Sequence, residues 1–225
     1  MSAQNKTQKW NWIFDWSGTL VDDMALVLCA TNHVMRHYGK PEWQRDDFRR
    51  EFRLPYEDFY HDCLPGVALE ELEVHFREGF ARSQKLVPIL PHAIEFLDFL
   101  KAEGHSMVVL TSMCEVAFAE QLVDLGMGDY FEATYAGVLD KRDRIGGILD
   151  HHGWDRDGTI FVGDMTHDVE TAHHGGVRSA AVLTGYNHRE LLESVSPSVI
   201  CDDLGSLKVL LESGEIFENV IGGCE

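Results

Sequence analysis

Two stretches of this chain carry the residue types and spacing that chemistry requires. Asp15-Trp16-Ser17-Gly18-Thr19-Leu20-Val21-Asp22 follows a short apolar run, and Gly163-Asp164-Met165-Thr166-His167-Asp168 follows a later one. A carboxylate held at the end of a rigid strand can attack phosphorus and split a hydrolysis into two easier displacements. Gly18 lets the backbone turn sharply behind Asp15, and Thr19 can hydrogen-bond and orient the acid. Taken alone, an aspartate at a strand end is a common turn residue. The second stretch changes the balance, because Asp164 leaves its strand and Asp168 stands one turn into the next helix. Carboxylates converging with Asp15 form a hard-oxygen site suited to Mg²⁺, which takes few protein ligands and keeps waters for a phosphate. Such an ion lets an anionic nucleophile approach an anionic phosphate. Helix-dipole compensation accounts for Asp168 but not for the combination.

These acids need elements to hold them. Trp10 to Phe14 reads as a buried strand delivering Asp15. Met24 to Tyr38 has helical spacing and stops at Gly39 and Pro41. Residues 42–86 contain no convincing strand and suggest short helices broken at Leu54-Pro55 and Pro65-Gly66. After Pro91, helices and strands alternate. Helical spacing marks 92–103, 114–125, 142–152, the stretch ending at Gly175-Gly176, and 204–211. Apolar runs mark strands at 107–110, 133–138, 159–162, 179–183 and 198–201. Strands alternating with helices mean an α/β fold, a parallel sheet covered by helices on both faces. In such sheets function gathers at the carboxyl ends of strands, where Asp15, Thr111-Ser112 and Gly163-Asp164 stand here.

The composition sets outer limits. Of 225 residues, 44% are hydrophobic and 25% charged, enough for one full core and a modest second module. A net charge of −19 repels phosphate backbones, which argues against nucleic acid as a partner. The five cysteines are scattered, with neither a disulfide framework nor a zinc signature, and fit a reducing cytoplasm. No stretch has the length of a membrane-spanning helix, and residues 1–9 lack the apolar core of a secretory signal.

The four motifs together resemble the haloacid dehalogenase-like hydrolase superfamily, and within it the phosphoglycolate phosphatase-like branch. The nucleophile motif matches at Asp15, Gly18, Thr19 and Asp22; the second at Thr111; the third at Lys141; the fourth at Gly163-Asp164 with Asp168. The resemblance implies a Rossmann-like core over 1–23 and 87–225, with a small helical cap inserted after the first strand at 24–86; residues 214–225 read as a loose tail. It also implies roles. Asp15 takes the phosphoryl group; Asp15, the Ser17 carbonyl and Asp164 hold Mg²⁺, with Asp168 as a further or outer ligand. Thr111 and Lys141 bind phosphoryl oxygens where transition-state charge develops, and Ser112 lies beside them as a substrate contact. Asp140-Lys141-Arg142-Asp143-Arg144 also reads as a solvated charge run. The expected substrate is a small phosphorylated metabolite.

One departure stands out. Phosphatases of the superfamily carry a second aspartate two residues after the nucleophile, and this chain has Ser17 there. A serine hydroxyl is a poor general acid, and such a loss costs roughly 10²–10⁴ in rate. Asp-Trp-Ser-Gly-Thr is instead similar to the Asp-Trp-Ala-Gly-Thr of phosphonoacetaldehyde hydrolases, which cleave a carbon–phosphorus bond after a cap lysine forms a Schiff base. Lys40 and Lys85 are the lysines near that region, at its two ends, and 52–58 contains none. A third reading is a weakly active or inactive module binding Mg²⁺ and phosphate. Arg49, Arg50 and Arg53 lie in the helical region, and Arg53 is the expected contact for the anionic remainder of a substrate. His151-His152 and His173-His174 are adjacent pairs without partner spacing and read as surface histidines.

Overall fold

The structure, a computed structural model, describes residues 9–82 and 87–214. Six strands form one sheet: β1 (Asn11–Phe14), β2 (Ser106–Leu110), β3 (Ala133–Tyr135), β4 (Thr159–Gly163), β5 (Arg178–Val182) and β6 (Val199–Cys201). Every pairing is parallel, in the order β3-β2-β1-β4-β5-β6. The strand order reverses between β1 and β4, and a crevice opens at the carboxyl ends beside such a reversal.

Alternation along β1 explains how one strand serves two layers. Trp12 and Phe14 point to one face, where they pack with Phe96, Leu97, Leu100, Val109 and Val162. Ile13 points to the other, with Val108, Leu110, Ile145, Leu149 and Phe161. Trp12 is fully buried, and its ring meets Phe96 edge-on at 5.4 Å between centroids. The first face is covered by α5 (Ala93–Ala102), α6 (Glu115–Asp124) and α10 (Leu204–Ser213); the second by α7 (Arg142–His152) and α8 (Thr166–Gly175).

Between β1 and α5 run four helices, α1 (Met24–His37), α2 (Arg45–Glu51), α3 (Tyr56–Cys63) and α4 (Leu69–Arg82). They share an apolar cluster of Met24, Val34, Met35, Phe48, Phe59, Tyr60, Leu64 and Leu72, which Met165 and Tyr186 join from outside these helices. The chain leaves and returns at one place: Gly18 N–H donates to Val21, Leu90 N–H to Leu20, and Asp22 N–H to Pro88.

The elements follow the sequence expectation with two differences. β3 ends at Tyr135 rather than Val138, because Gly137 takes a positive φ and the chain turns back, with Gly137 and Val138 N–H donating to the Met113 and Thr111 carbonyls. Helix α9 (Arg189–Ser194) was not expected; its six residues are too short to show a period. The expected tail lies outside the described residues beyond Gly214. The four described cysteines are free thiols. No described helix is long and apolar enough to cross a membrane.

The aromatic side of β1 is the keystone of the core. Trp12→Ala should lower unfolding free energy by about 3–5 kcal/mol, measured by urea denaturation. Trp12→Phe should cost far less, since it keeps most of the ring and discards an indole N–H that is buried without a partner. Equal losses in the two variants would contradict this packing account.

Candidate active site

Asp15 follows β1 directly, and its N–H still donates to Val162 of β4 at 2.9 Å. Because Phe14 stands level with Val162, Asp15 stands level with Gly163, and Asp164 emerges beside it. Asp15, Asp164 and Asp168 are all buried, and one oxygen from each lies within 4.8 Å of the others. Lys141, 0% exposed, reaches this cluster from the turn before α7, with Nζ 2.5 Å from Asp15 Oδ1 and 2.7 Å from Asp168 Oδ1. The other Asp168 oxygen accepts the Met165 N–H at 3.0 Å, so both of its oxygens are engaged.

Local structure fixes each acid. Asp164 Oδ1 accepts from Thr19 at 3.0 Å, and Oδ2 accepts the Tyr186 N–H at 2.6 Å. Gly18 turns with φ of +80°, and a Cβ on either Gly18 or Gly185 would run into the Asp164 carboxylate. Thr184 Oγ1 donates to the Gly18 carbonyl at 2.6 Å, tying the loop after β5 to the loop after β1. Lys141 is set by its neighbours: Asp140 accepts the Arg142 N–H, and His167 Nε2 accepts the Lys141 N–H at 3.2 Å.

The electrostatics follow from burial. Burial raises the Asp15 carboxyl to about 7, with Asp168 adding repulsion and Lys141 opposing it. Burial and the charges of Asp15 and Asp168 hold Asp164 well above the usual range. Burial pushes Lys141 down, but Asp15 and Asp168 outweigh it and keep the ammonium above the ordinary lysine range. Burial and the neighbouring Lys141 charge lower His167 to about 4, which leaves it a neutral acceptor. Three carboxylates against one ammonium, with oxygen the only ligand type, suit a hard divalent cation such as Mg²⁺.

Thr111 is buried one residue beyond β2, where register places it level with Trp16; its Oγ1 accepts the Met113 N–H at 3.2 Å. Ser112 is half-buried next to it. Ser17 is half-buried, and its hydroxyl donates to Asp23 Oδ2 at 2.6 Å. Arg53 is not brought to the carboxylates. It pairs with Asp62 and the Asp58 carbonyl within the helical segment. Arg49 is the arginine that crosses, with its guanidinium donating to the Tyr186 and Asn187 carbonyls at 3.4 and 3.3 Å. The end of α2 separates the two: Arg49 points toward the β5 loop, and Arg53 lies past the helix end.

Sequence reading missed Asp23 and the loop Thr184-Gly185-Tyr186-Asn187. Asp23 is 2% exposed; it accepts from Ser17 and, at 2.9 Å, from the Tyr186 hydroxyl. Burial raises it to about 6, against those two hydrogen bonds. Its one sequence signal was a second acid directly after Asp22. The loop signalled itself only by Thr-Gly after a strand.

An acid at the first strand end thus faces a second acidic pair across the strand-order reversal of an α/β sheet, with a buried lysine bonded to both sides. Over residues 12–182 the chain matches the haloacid dehalogenase-like hydrolase family, and it belongs to that family. It is 28% identical over 212 residues to phosphoglycolate phosphatase 1 of Pseudomonas aeruginosa, covering 87% of this chain and 77% of that protein. It is 30% identical over 217 residues to a phosphoglycolate phosphatase of Agrobacterium fabrum, covering 87% and 89%. A haloacid dehalogenase-like family hydrolase from Streptococcus pneumoniae superposes with a TM-score of 0.80 at 21% identity, over 92% of this chain and 99% of that one.

The raised carboxylates have a sign that can be tested. Between the ordinary value of 3.8 and about 7, the folded chain binds more protons at Asp15 than the unfolded chain does. These acids therefore cost the metal-free protein stability as pH rises through that window. Asp15→Asn should raise the Tm of chelator-treated protein above the window and change it little below. Mg²⁺ should raise the native Tm more than that of the variant. A variant that melts lower than the native chain at high pH would show that the acids are not in conflict.

Proposed function

We propose that this hydrolase is a Mg²⁺-dependent phosphatase of small phosphate monoesters, phosphoglycolate-like in size, working through an aspartyl-phosphate on Asp15. The carrying observation is the buried convergence of Asp15, Asp164 and Asp168 with Lys141 at the carboxyl ends of β1 and β4. The names of the relatives support the substrate class. Asp15, Asp164 and the Ser17 carbonyl would hold Mg²⁺, which when bound supplies positive charge against phosphate oxygens.

The chain's own groups do the rest. Lys141 orients Asp15 and brings a fixed positive charge to the attack on phosphorus. Asp168 acts behind it, holding Lys141 in place. Thr111 and Ser112 serve the phosphoryl oxygens from the β2 end. Helices α1 to α4 act as the cap that covers the substrate and excludes water, with Arg49 at its seam with the core.

The proton for the leaving group is supplied by Asp23 through Ser17. The Ser17 hydroxyl bonds Asp23, so a carboxyl stands one hydroxyl away from the position where the superfamily places its acid. In the relay the Ser17–Asp23 bond reverses: protonated Asp23 donates to Ser17 Oγ as Ser17 turns its own proton to the leaving oxygen. The reverse passage takes a proton from the water that cleaves the acyl phosphate. Other acids of the helical segment are worse placed: Tyr56 donates to Glu73, and Glu57 and Asp58 are exposed. No observation favours carbon–phosphorus cleavage. Trp16 is turned into the core, its Nε1 bonded to Gln121; Lys40 is exposed, and Lys85 lies outside the described residues.

Asp15→Asn should abolish turnover of phosphate esters with circular dichroism unchanged, and chelator should do so reversibly with Mg²⁺. Retained activity in that variant rejects the nucleophile. For the proton path, kcat/KM is compared for phosphoglycolate, whose alkoxide needs a proton, and p-nitrophenyl phosphate, whose phenolate barely does. Asp23→Asn should depress the alkyl ester by about 10²–10⁴ and the aryl ester far less. A uniform loss on both esters would place the acid elsewhere.

A further inference from the structure

A second cluster of ligand-type side chains lies between α1 and α4, apart from Asp15 and its partners. Gly79 of α4 makes the approach possible. A Cβ there would stand 2.7 Å from the His33 Cβ and 2.9 Å from the Ala30 Cα, so the two helices meet almost backbone to backbone. His33 and His37 are one turn apart on α1, and His75 and Glu78 one turn apart on α4, so each pair shares a helix face. At the crossing, Glu78 Oε2 lies 3.5 Å from His33 Nε2 and 3.5 Å from His75 Nδ1. One ligand atom from each of the three lies within 4.8 Å of the others. The His37 ring backs this group, stacked on His75 with centroids 3.6 Å apart and planes at 26°.

Zn²⁺ bound tetrahedrally holds nitrogen and oxygen ligands at about 2.0–2.1 Å, which places neighbouring ligand atoms about 3.3 Å apart. Both edges to Glu78 are already within a few tenths of an ångström of that span. His75 Nδ1 is buried and meets the Glu78 carboxylate at 3.5 Å without a well-formed hydrogen bond, a weak pairing for a buried polar atom. A cation between the two imidazoles and the carboxylate would satisfy it. The side chains of His33 and His75 are 19% and 17% exposed and that of Glu78 is 49%, so an ion can enter from solvent and keep water as its fourth ligand. We propose that His33, His75 and Glu78 form a site for a borderline divalent ion of the Zn²⁺ class, clasping α1 to α4 and separate from the catalytic carboxylates. Two imidazoles select Zn²⁺, Co²⁺, Ni²⁺ or Cu²⁺ over Mg²⁺, whereas the Asp15 cluster is all oxygen. The two sites thus sort metals by ligand softness. The inference is independent of the substrate and of the proposed reaction.

The test titrates metal-free, full-length protein with Co²⁺ in excess Mg²⁺, which keeps the carboxylate cluster occupied. One saturable equivalent should appear with the intense visible bands of four-coordinate Co²⁺, be displaced by Zn²⁺, and raise the Tm. His75→Ala and the more exposed Glu78→Gln should each lose that equivalent, while Asp15→Asn and His174→Ala retain it. Urea unfolding of the metal-free variants shows that each is folded. A weak six-coordinate spectrum, no saturable binding, or binding that survives both His75→Ala and Glu78→Gln would overturn the proposal and leave the three residues as a histidine–carboxylate ion pair.

Discussion

The packing of three carboxylates with a single ammonium that pairs with two of them, Asp15 and Asp168, all withdrawn from water, governs the rest of the molecule. Removing ions from water is expensive, and mutual attraction offsets the cost only where geometry is held closely. Asp15 and Asp164 are fixed by adjacent strands in register, Asp168 by the first turn of α8, and Lys141 by the turn into α7. Around them the chain has made room: Gly18 and Gly185 are bare where Asp164 passes, and His167 sits neutral where a second cation would compete with Lys141. The sheet's parallel order is what brings these four elements to one edge.

A second network leads outward from the same place. Ser17, Asp23 and the Tyr186 hydroxyl form a continuous chain of hydrogen bonds, from the turn after β1 to the start of α1 and the loop after β5. Tyr186 also packs its ring edge-on against Phe48 and tilted against Phe52 of the helical segment, while Arg49 donates to the Tyr186 and Asn187 carbonyls. The loop after β5 therefore touches both layers. The Tyr186 N–H bonds a site carboxylate, its hydroxyl bonds Asp23 behind Ser17, and its ring packs on the helices above.

Asp15, Lys141, Asp164 and Asp168 were legible because strand ends and helix starts announce themselves through apolar runs, glycines and caps, and a parallel sheet gathers its strand ends on one edge. Ser17 was legible as a departure, but its partner was not. Asp23 lies six residues on, and only the tight turn from Trp16 to Val21 folds it back within reach. Arg49 and Arg53 were indistinguishable by composition; the end of α2 at Glu51 decides which one faces the core. The clustering of His33, His75 and Glu78 could not be read from spacing, because it depends on which glycine lets two distant helices touch. Short elements such as α9 carry too few residues to show a period.

The central place of β1 has a cost during synthesis. Its neighbours on either side are β2 and β4, and Asn11 pairs with Ser106 and Thr159, so Trp10 to Phe14 leave the ribosome long before either partner exists. Non-local pairing of this kind slows folding and leaves an aromatic, edge-competent strand open to other nascent chains.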